Sequence, residues 1–152
     1  MTLDDAGSLD AARQVEGLKI RQIPPDDVGA HVAIGAKGFG VTEQLYGQLS
    51  TPAAMRLPGV RCYVGEVAGT PVTTGLGVTL APFVAIFSIA TPPAYRGRGY
   101  ASAVTARAVG DGLANGAEWA WLQSSEAARQ IYTRLGFRTV ELWDCWVAAN
   151  GQ

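Results

Sequence analysis

The densest chemistry in the chain lies in Arg96-Gly97-Arg98-Gly99-Tyr100-Ala101-Ser102. Two glycines let successive backbone N–H groups converge on an anion where a Cβ would block the approach. The apolar spacing of Tyr100, Ala101, Val104 and Ala108 reads as a helix face. The loop therefore opens onto a helix N-terminus, which offers unpaired donors and about half a positive charge. Arg96 and Arg98 add fixed charge. A pyrophosphate suits this arrangement; a tight turn with solvated arginines is the plainer alternative. Two well-known phosphate loops do not fit. A dinucleotide fingerprint needs a small residue where Ser102 stands and an early strand, whereas this loop comes late. A Walker loop needs Gly-Lys-Ser/Thr, and no lysine follows Lys37.

Few other groups could carry a reaction. His31 is the only histidine, so a histidine-rich metal site is excluded and any serine or cysteine triad would need that one residue. A satisfied core or helix-surface residue is the expectation for it. Cys62 and Cys145 lie far apart and show neither a disulfide framework nor zinc spacing, so no metal is expected. The 152 residues carry 12 basic and 13 acidic side chains, a net charge of −1. That balance argues against nucleic acid and against electrostatic docking on an anionic membrane. No charge falls between Glu66 and Arg96, yet Pro71, Gly75, Gly77 and Pro82 break the stretch, and its β-branched content fits a buried hairpin. The acidic start has no apolar signal core, and a cytoplasmic protein is expected.

The elements that must position the loop follow from pattern and punctuation. Residues 1–17 read as a polar tail and residues 18–152 as a single domain. A strand is predicted over 18–23, ended by Pro24-Pro25. A helix capped by Asp26 or Asp27 runs toward Lys37, and a second covers 42–49. Pro52 and Pro58 bracket a loop. Strands follow at 61–67, 72–80 and 83–90, then the glycine loop and its helix, fading at Gly112 and Gly116. Residues 119–122 form a short strand and 125–135 a helix, with Gly136 at a left-handed cap and Phe137 at its apolar contact. Residues 138–148 are strand-like. The order βααβββαβαβ makes a mixed α/β domain.

Arg-x-x-Gly-x-Ala opening a helix, after an apolar strand and a Pro-x-Tyr step, resembles the coenzyme A loop of the GNAT N-acetyltransferase superfamily. A second signature follows in order, ending here Ala127-Ala128-Arg129-Gln130-Ile131-Tyr132-Thr133-Arg134-Leu135-Gly136-Phe137. The similarity runs over about residues 83–147. It implies a twisted, mainly antiparallel sheet flanked by helices, in which the 83–90 and 119–122 strands run parallel and splay apart around the arm of acetyl-CoA, the co-substrate. Ile89, Ala90 and Thr91 match positions whose backbone holds the pantetheine and thioester. Gly97, Arg98, Gly99, Tyr100, Ala101 and Ser102 match the pyrophosphate cradle, with Arg96 leading the motif. Tyr132 matches the tyrosine that protonates the departing thiolate. Ser125 stands where the family commonly has an asparagine, a departure that weakens that contact.

The implied activity is acyl transfer, chiefly acetyl, to an amine of a small molecule or peptide by direct attack in a ternary complex. An acyl thioester is already activated, so positioning, an amide-lined oxyanion site and a phenol near sulfur suffice. A general base is not evident: the 83–90 strand holds no acid, and Glu66 and Glu118 are the nearest carboxylates on other strands. Phe39, Glu43, Tyr46 and Met55 are candidate acceptor-pocket residues. Trp119, Trp121, Trp143 and Trp146 are expected on the sheet face, and Arg129, Arg134 and Arg138 near a coenzyme phosphate or in solvent. The rival reading is a catalytically silent domain that senses acyl-CoA. A tandem protein of which this is one half also fits the sequence. The C-terminal strand is either complete or borrowed from a partner, which leaves a homodimer open.

Overall fold

A computed structural model describes residues 1–4, 6–9 and 14–144. Its centre is a six-stranded sheet in the order β1-β6-β5-β4-β3-β2. The strands are β1 (Thr2–Leu3), β2 (Leu18–Ile23), β3 (Val60–Val67), β4 (Thr70–Leu80), β5 (Phe83–Ala90) and β6 (Trp119–Leu122). Every neighbouring pair is antiparallel except β5 and β6, which run parallel from Phe83↔Trp119 to Ile86↔Leu122. The helices are α1 (Gly29–Phe39), α2 (Glu43–Gly47), α3 (Pro52–Met55), α4 (Tyr100–Ala114) and α5 (Glu126–Arg134).

Alternation along β4 separates the two faces, because successive side chains point to opposite sides of a sheet. A Cβ on Gly75 would meet Ile89 and Val104 of α4, whereas the adjacent Thr74 bonds His31 of α1. α4 therefore covers one face and α1 the other. The main core lies under α4, where Val84, Ile86, Val104, Val109, Ala120, Leu122, Leu135 and Phe137 are buried. Gly112 lets α4 approach closely, since a Cβ there would sit 2.5 Å from that of Val84.

Several expectations are corrected. The tail reading fails for the first residues: β1 pairs with the edge of β6, and Leu3 and Leu9 are buried in the main core. Each such leucine contributes about 2 kcal/mol of apolar burial, enough to hold an otherwise polar segment down. The Met1 ammonium donates to the Leu122 carbonyl at 2.8 Å. Neither Asp26 nor Asp27 caps α1; Val28 is its N-cap without a side-chain bond. Those aspartates pair instead with Arg56 and Arg21. The loop between Pro52 and Pro58 contains α3, because Thr51 accepts from the Ala54 N–H and Pro52 suits a first helical turn. The strand expected at 138–148 is only a bridge between Thr2 and Arg138; residues 139–144 are not strand, and 145–148 lie outside the described residues. Met55 belongs to a second core cluster rather than a pocket wall. Trp119 and Trp121 pack against Phe83 and Phe87 on the sheet, Trp143 is exposed, and Cys145 and Trp146 lie outside the described residues.

Candidate active site

The glycine loop is built by its own sequence. Pro92 and Pro93 force a 3-10 turn over Pro93–Tyr95, after which Gly97 and Gly99 take positive φ angles of 76° and 80°. Gly99 is the N-cap of the 15-residue α4 and supplies no side-chain cap. The backbone pattern resumes only at Ala103, whose N–H donates to the Gly99 carbonyl at 3.0 Å. Among the described residues, the N–H groups of residues 97–102 have no acceptor. Among the described residues, nothing lies within 4 Å of a Cβ placed on Gly97, and one on Gly99 would meet only Val15 at 3.4 Å. Open amides at a long helix's N-terminus can hold an anion, and their number and spacing suit a diphosphate such as that of coenzyme A.

The two arginines divide. Arg98 is exposed and has no partner among the described residues. Arg96 donates through Nε to the Thr91 carbonyl at 3.0 Å and through its terminal nitrogen to the Gly38 carbonyl at 2.9 Å. Its guanidinium is thus occupied in strapping the loop to α1.

Beside this cradle the sheet opens. Pairing between β5 and β6 stops at Ile86↔Leu122 while β5 runs on to Ala90. Among the described residues, one edge of β5 beyond Ile86 therefore has no strand beside it, as the splayed geometry requires. The register with β4 shifts between Thr74↔Ala90 and Leu76↔Phe87, so β5 carries one extra residue. Ser88 sits in this bulge with φ 54°, a conformation that costs a non-glycine residue energy. Ile89 turns toward α4. The Ala90 carbonyl accepts from the Thr73 hydroxyl at 3.0 Å, and the hydroxyls of Thr73 and Thr91 lie 2.9 Å apart.

Tyr132 of α5 is 8% exposed and meets Phe137 edge-on. Burial pushes its phenol up to about 12, and no hydrogen bond offsets that. Its oxygen is not sealed off, since no buried side-chain oxygen among the described residues lacks a partner. Burial likewise pushes the Cys62 thiol, in the second core cluster, up to about 12. Ser125 caps α5, its hydroxyl accepting from the Ala128 N–H at 3.3 Å.

On the α1 face lies a polar cluster. His31 is fully buried, with Nδ1 2.6 Å from the Thr74 hydroxyl and Nε2 3.1 Å from that of Ser50 and 3.4 Å from the Tyr46 phenol. Tyr46 stacks on Phe39, which is 54% exposed, and burial pushes its phenol up. Ser88 escaped sequence reading because a bulge leaves no composition signal. The two carboxylates considered as bases are elsewhere. Glu66 lies on β3 in an ion pair with Arg21 at 3.0 Å, and Glu118 precedes β6 at the end away from the opening. Arg129 pairs with Glu126 at 3.7 Å, and Arg138 pairs with Asp4. No three His, Cys, Asp or Glu side chains converge as a metal site among the described residues, and none of their helices is long and apolar enough to cross a membrane.

The family model for the acetyltransferase (GNAT) domain matches residues 58–139, more than half of the chain. The chain belongs to the GNAT acetyltransferase family. Its fold is that of several solved structures. A Pyrococcus horikoshii protein assigned as an acetyltransferase superposes with a TM-score of 0.70 at 20% identity, over 82% of this chain and 44% of that longer one. An aminoglycoside acetyltransferase from an uncultured soil metagenomic sample gives 0.69 at 22% identity, over 86% of this chain and 99% of that one. A Clostridium acetobutylicum protein crystallised with acetyl-CoA and assigned as an acetyltransferase gives 0.69 at 16%, over 86% and 96%. A search of curated protein sequences gave no match.

Proposed function

We propose that this chain transfers an acetyl group from acetyl-CoA to the nitrogen of an amine, by direct attack with both substrates bound. The open amides of residues 97–102 beside the free edge of β5 carry this reading. Acetyl-CoA supplies the activated acyl group. The loop amides and Arg98 hold the diphosphate, while the backbone of Ile89, Ala90 and Thr91 lies along the thioester arm. Arg96 contributes by fixing the loop, and Ser125 through its place at the mouth of α5. Tyr132 holds a proton for the departing sulfur and regains from solvent the one that the acceptor nitrogen sheds. The new N–C bond thus replaces C–S without net change in protons for a neutral amine. Acetyl-CoA and a reduced thiol such as Cys62 are both at home in the cytoplasm, where this reading places the protein.

The acceptor is a small-molecule or peptide amine. Thiol release from acetyl-CoA over a panel of amines and peptides tests the proposal: acceptor-dependent release supports it. Tight coenzyme binding without release for any acceptor would instead identify a silent acyl-CoA sensor.

A further inference from the structure

We propose that Thr73 is a positioning residue for the transfer: paired with the Thr91 hydroxyl, it turns the Ala90–Thr91 peptide so that the Thr91 N–H donates to the thioester carbonyl oxygen. The inference rests on the acetyl-transfer reading and adds the side chains that aim this donor.

The directions follow from the bonds at the end of β5. Thr73 of β4 is fully buried, and its hydroxyl donates to the Ala90 carbonyl at 3.0 Å. A carbonyl has no proton to give, so that bond uses the only hydroxyl proton of Thr73. The Thr91 hydroxyl, 2.9 Å away, therefore donates to the Thr73 oxygen. Together the two hydroxyls hold the Ala90 carbonyl on the β4 side. The peptide that follows is trans, since the cis bond among the described residues is Ala81–Pro82. In a trans peptide the N–H points opposite to the C=O. The Thr91 N–H is thus turned away from β4, toward the side of β5 that β6 leaves open beyond Ile86. The register agrees. Thr74 pairs with Ala90, so Thr73 stands opposite Thr91. With the Ala90 groups turned inward, those of Thr91 turn outward, as successive pairs in an antiparallel ladder alternate.

This amide is a free donor. The Thr91 N–H has no acceptor among the described residues, while the carbonyl of the same residue accepts from Arg96 Nε at 3.0 Å. Gly38 of α1 packs on the same peptide. A Cβ there would stand 3.3 Å from the Thr91 nitrogen, so glycine leaves the donor uncrowded. When the amine nitrogen attacks the carbonyl carbon, an electron pair of the C=O bond moves onto oxygen, where this N–H holds it. The pair returns as the C–S bond breaks. The thiolate takes its proton from Tyr132, and the amine nitrogen sheds one to solvent. A donor already aimed at that oxygen lowers the barrier without reorganising during the step.

Infrared difference spectra of acetyl-CoA carrying a carbon-13 acetyl carbonyl read this bond. On binding to the unmodified protein the thioester band should move to lower wavenumber. Thr73→Val keeps the volume and deletes the hydroxyl, so the band should return toward its free position. Thr73→Ser should retain the bound position. With hydroxylamine as the acceptor, kcat for thiol release should fall about tenfold in Thr73→Val and recover in Thr73→Ser, with the dissociation constant for acetyl-CoA unchanged. A second reading needs no variant. In nitrogen-15 NMR of the unmodified protein, the Thr91 amide proton should move downfield with acetyl-CoA and not with S-ethyl-CoA, which lacks the carbonyl oxygen. Equal amide shifts with the two ligands, or the same bound band in Thr73→Val as in the unmodified protein, overturns the positioning role and leaves the transfer reading standing. No binding of acetyl-CoA by the unmodified protein overturns both.

Discussion

The Arg96 guanidinium donates to the Gly38 carbonyl at 2.9 Å, tying the last turn of α1 to the loop that opens α4. A second bond, to the Thr91 carbonyl, fixes the same side chain at the end of β5. One residue thus holds the three elements that border the opening. It does so where α1 is closest, since a Cβ on Gly38 would lie 2.8 Å from that of Ala90.

Arg96→Ala should therefore lower the melting temperature, with about 1 kcal/mol lost for each exposed bond, and weaken coenzyme binding through the loosened loop. Arg98→Ala should weaken binding in a salt-dependent way and leave the melting temperature unchanged. Thermal unfolding together with calorimetric titration at two salt concentrations separates the two behaviours.

Gly99→Ala places a Cβ on a residue with φ 80° and against Val15 at 3.4 Å. The left-handed conformation costs alanine about 1 kcal/mol, so the loop should shift and its amides lose alignment. Coenzyme A affinity should fall at least tenfold while circular dichroism shows an intact fold.

Tyr132→Phe should lower kcat at least tenfold and leave the dissociation constant for coenzyme A unchanged. Because the phenol is pushed up to about 12, it remains protonated across the working range. The kcat profile should then show no alkaline loss from this group below pH 10. Stopped-flow thiol release across pH 7–10 checks both statements.

Stability should fall in mild acid. His31 is lowered from 6.5 to about 4 in the folded protein, so between those values the unfolded chain binds a proton that the folded one does not. Its contribution is fully present above pH 6.5 and is lost as the pH falls toward 4, on the order of 3 kcal/mol. Urea unfolding at pH 7.0 and 4.5 should show this difference, and His31→Gln should flatten it.

Much of this arrangement is legible in the sequence, and the reasons are local. The bounds of β5 and β6 follow from apolar runs stopped by Pro82, Pro92 and Gly116, and Ser125 and Gly136 mark the ends of α5. Gly136 takes φ 90° and Phe137 is buried, as a left-handed cap requires. What the sequence hides depends on distant partners. β1 exists because the edge of β6 is free, and Leu3 and Leu9 give little periodicity among polar neighbours. Arg96 reads as charge for a phosphate until Gly38, 58 residues away in sequence, is seen beside it. The bulge at Ser88 and the Thr74–His31–Tyr46 chain arise from register and packing across three elements, which no spacing rule encodes.

On the proposed reading, main-chain amides of residues 97–102 grip a diphosphate. Calorimetric titration with acetyl-CoA and with S-acetylpantetheine, which has the same thioester arm but no diphosphate, tests it most directly. Saturable heat is expected with acetyl-CoA, and affinity at least a hundredfold weaker for the truncated compound. Equal affinity for the two, or no heat with either, would contradict it.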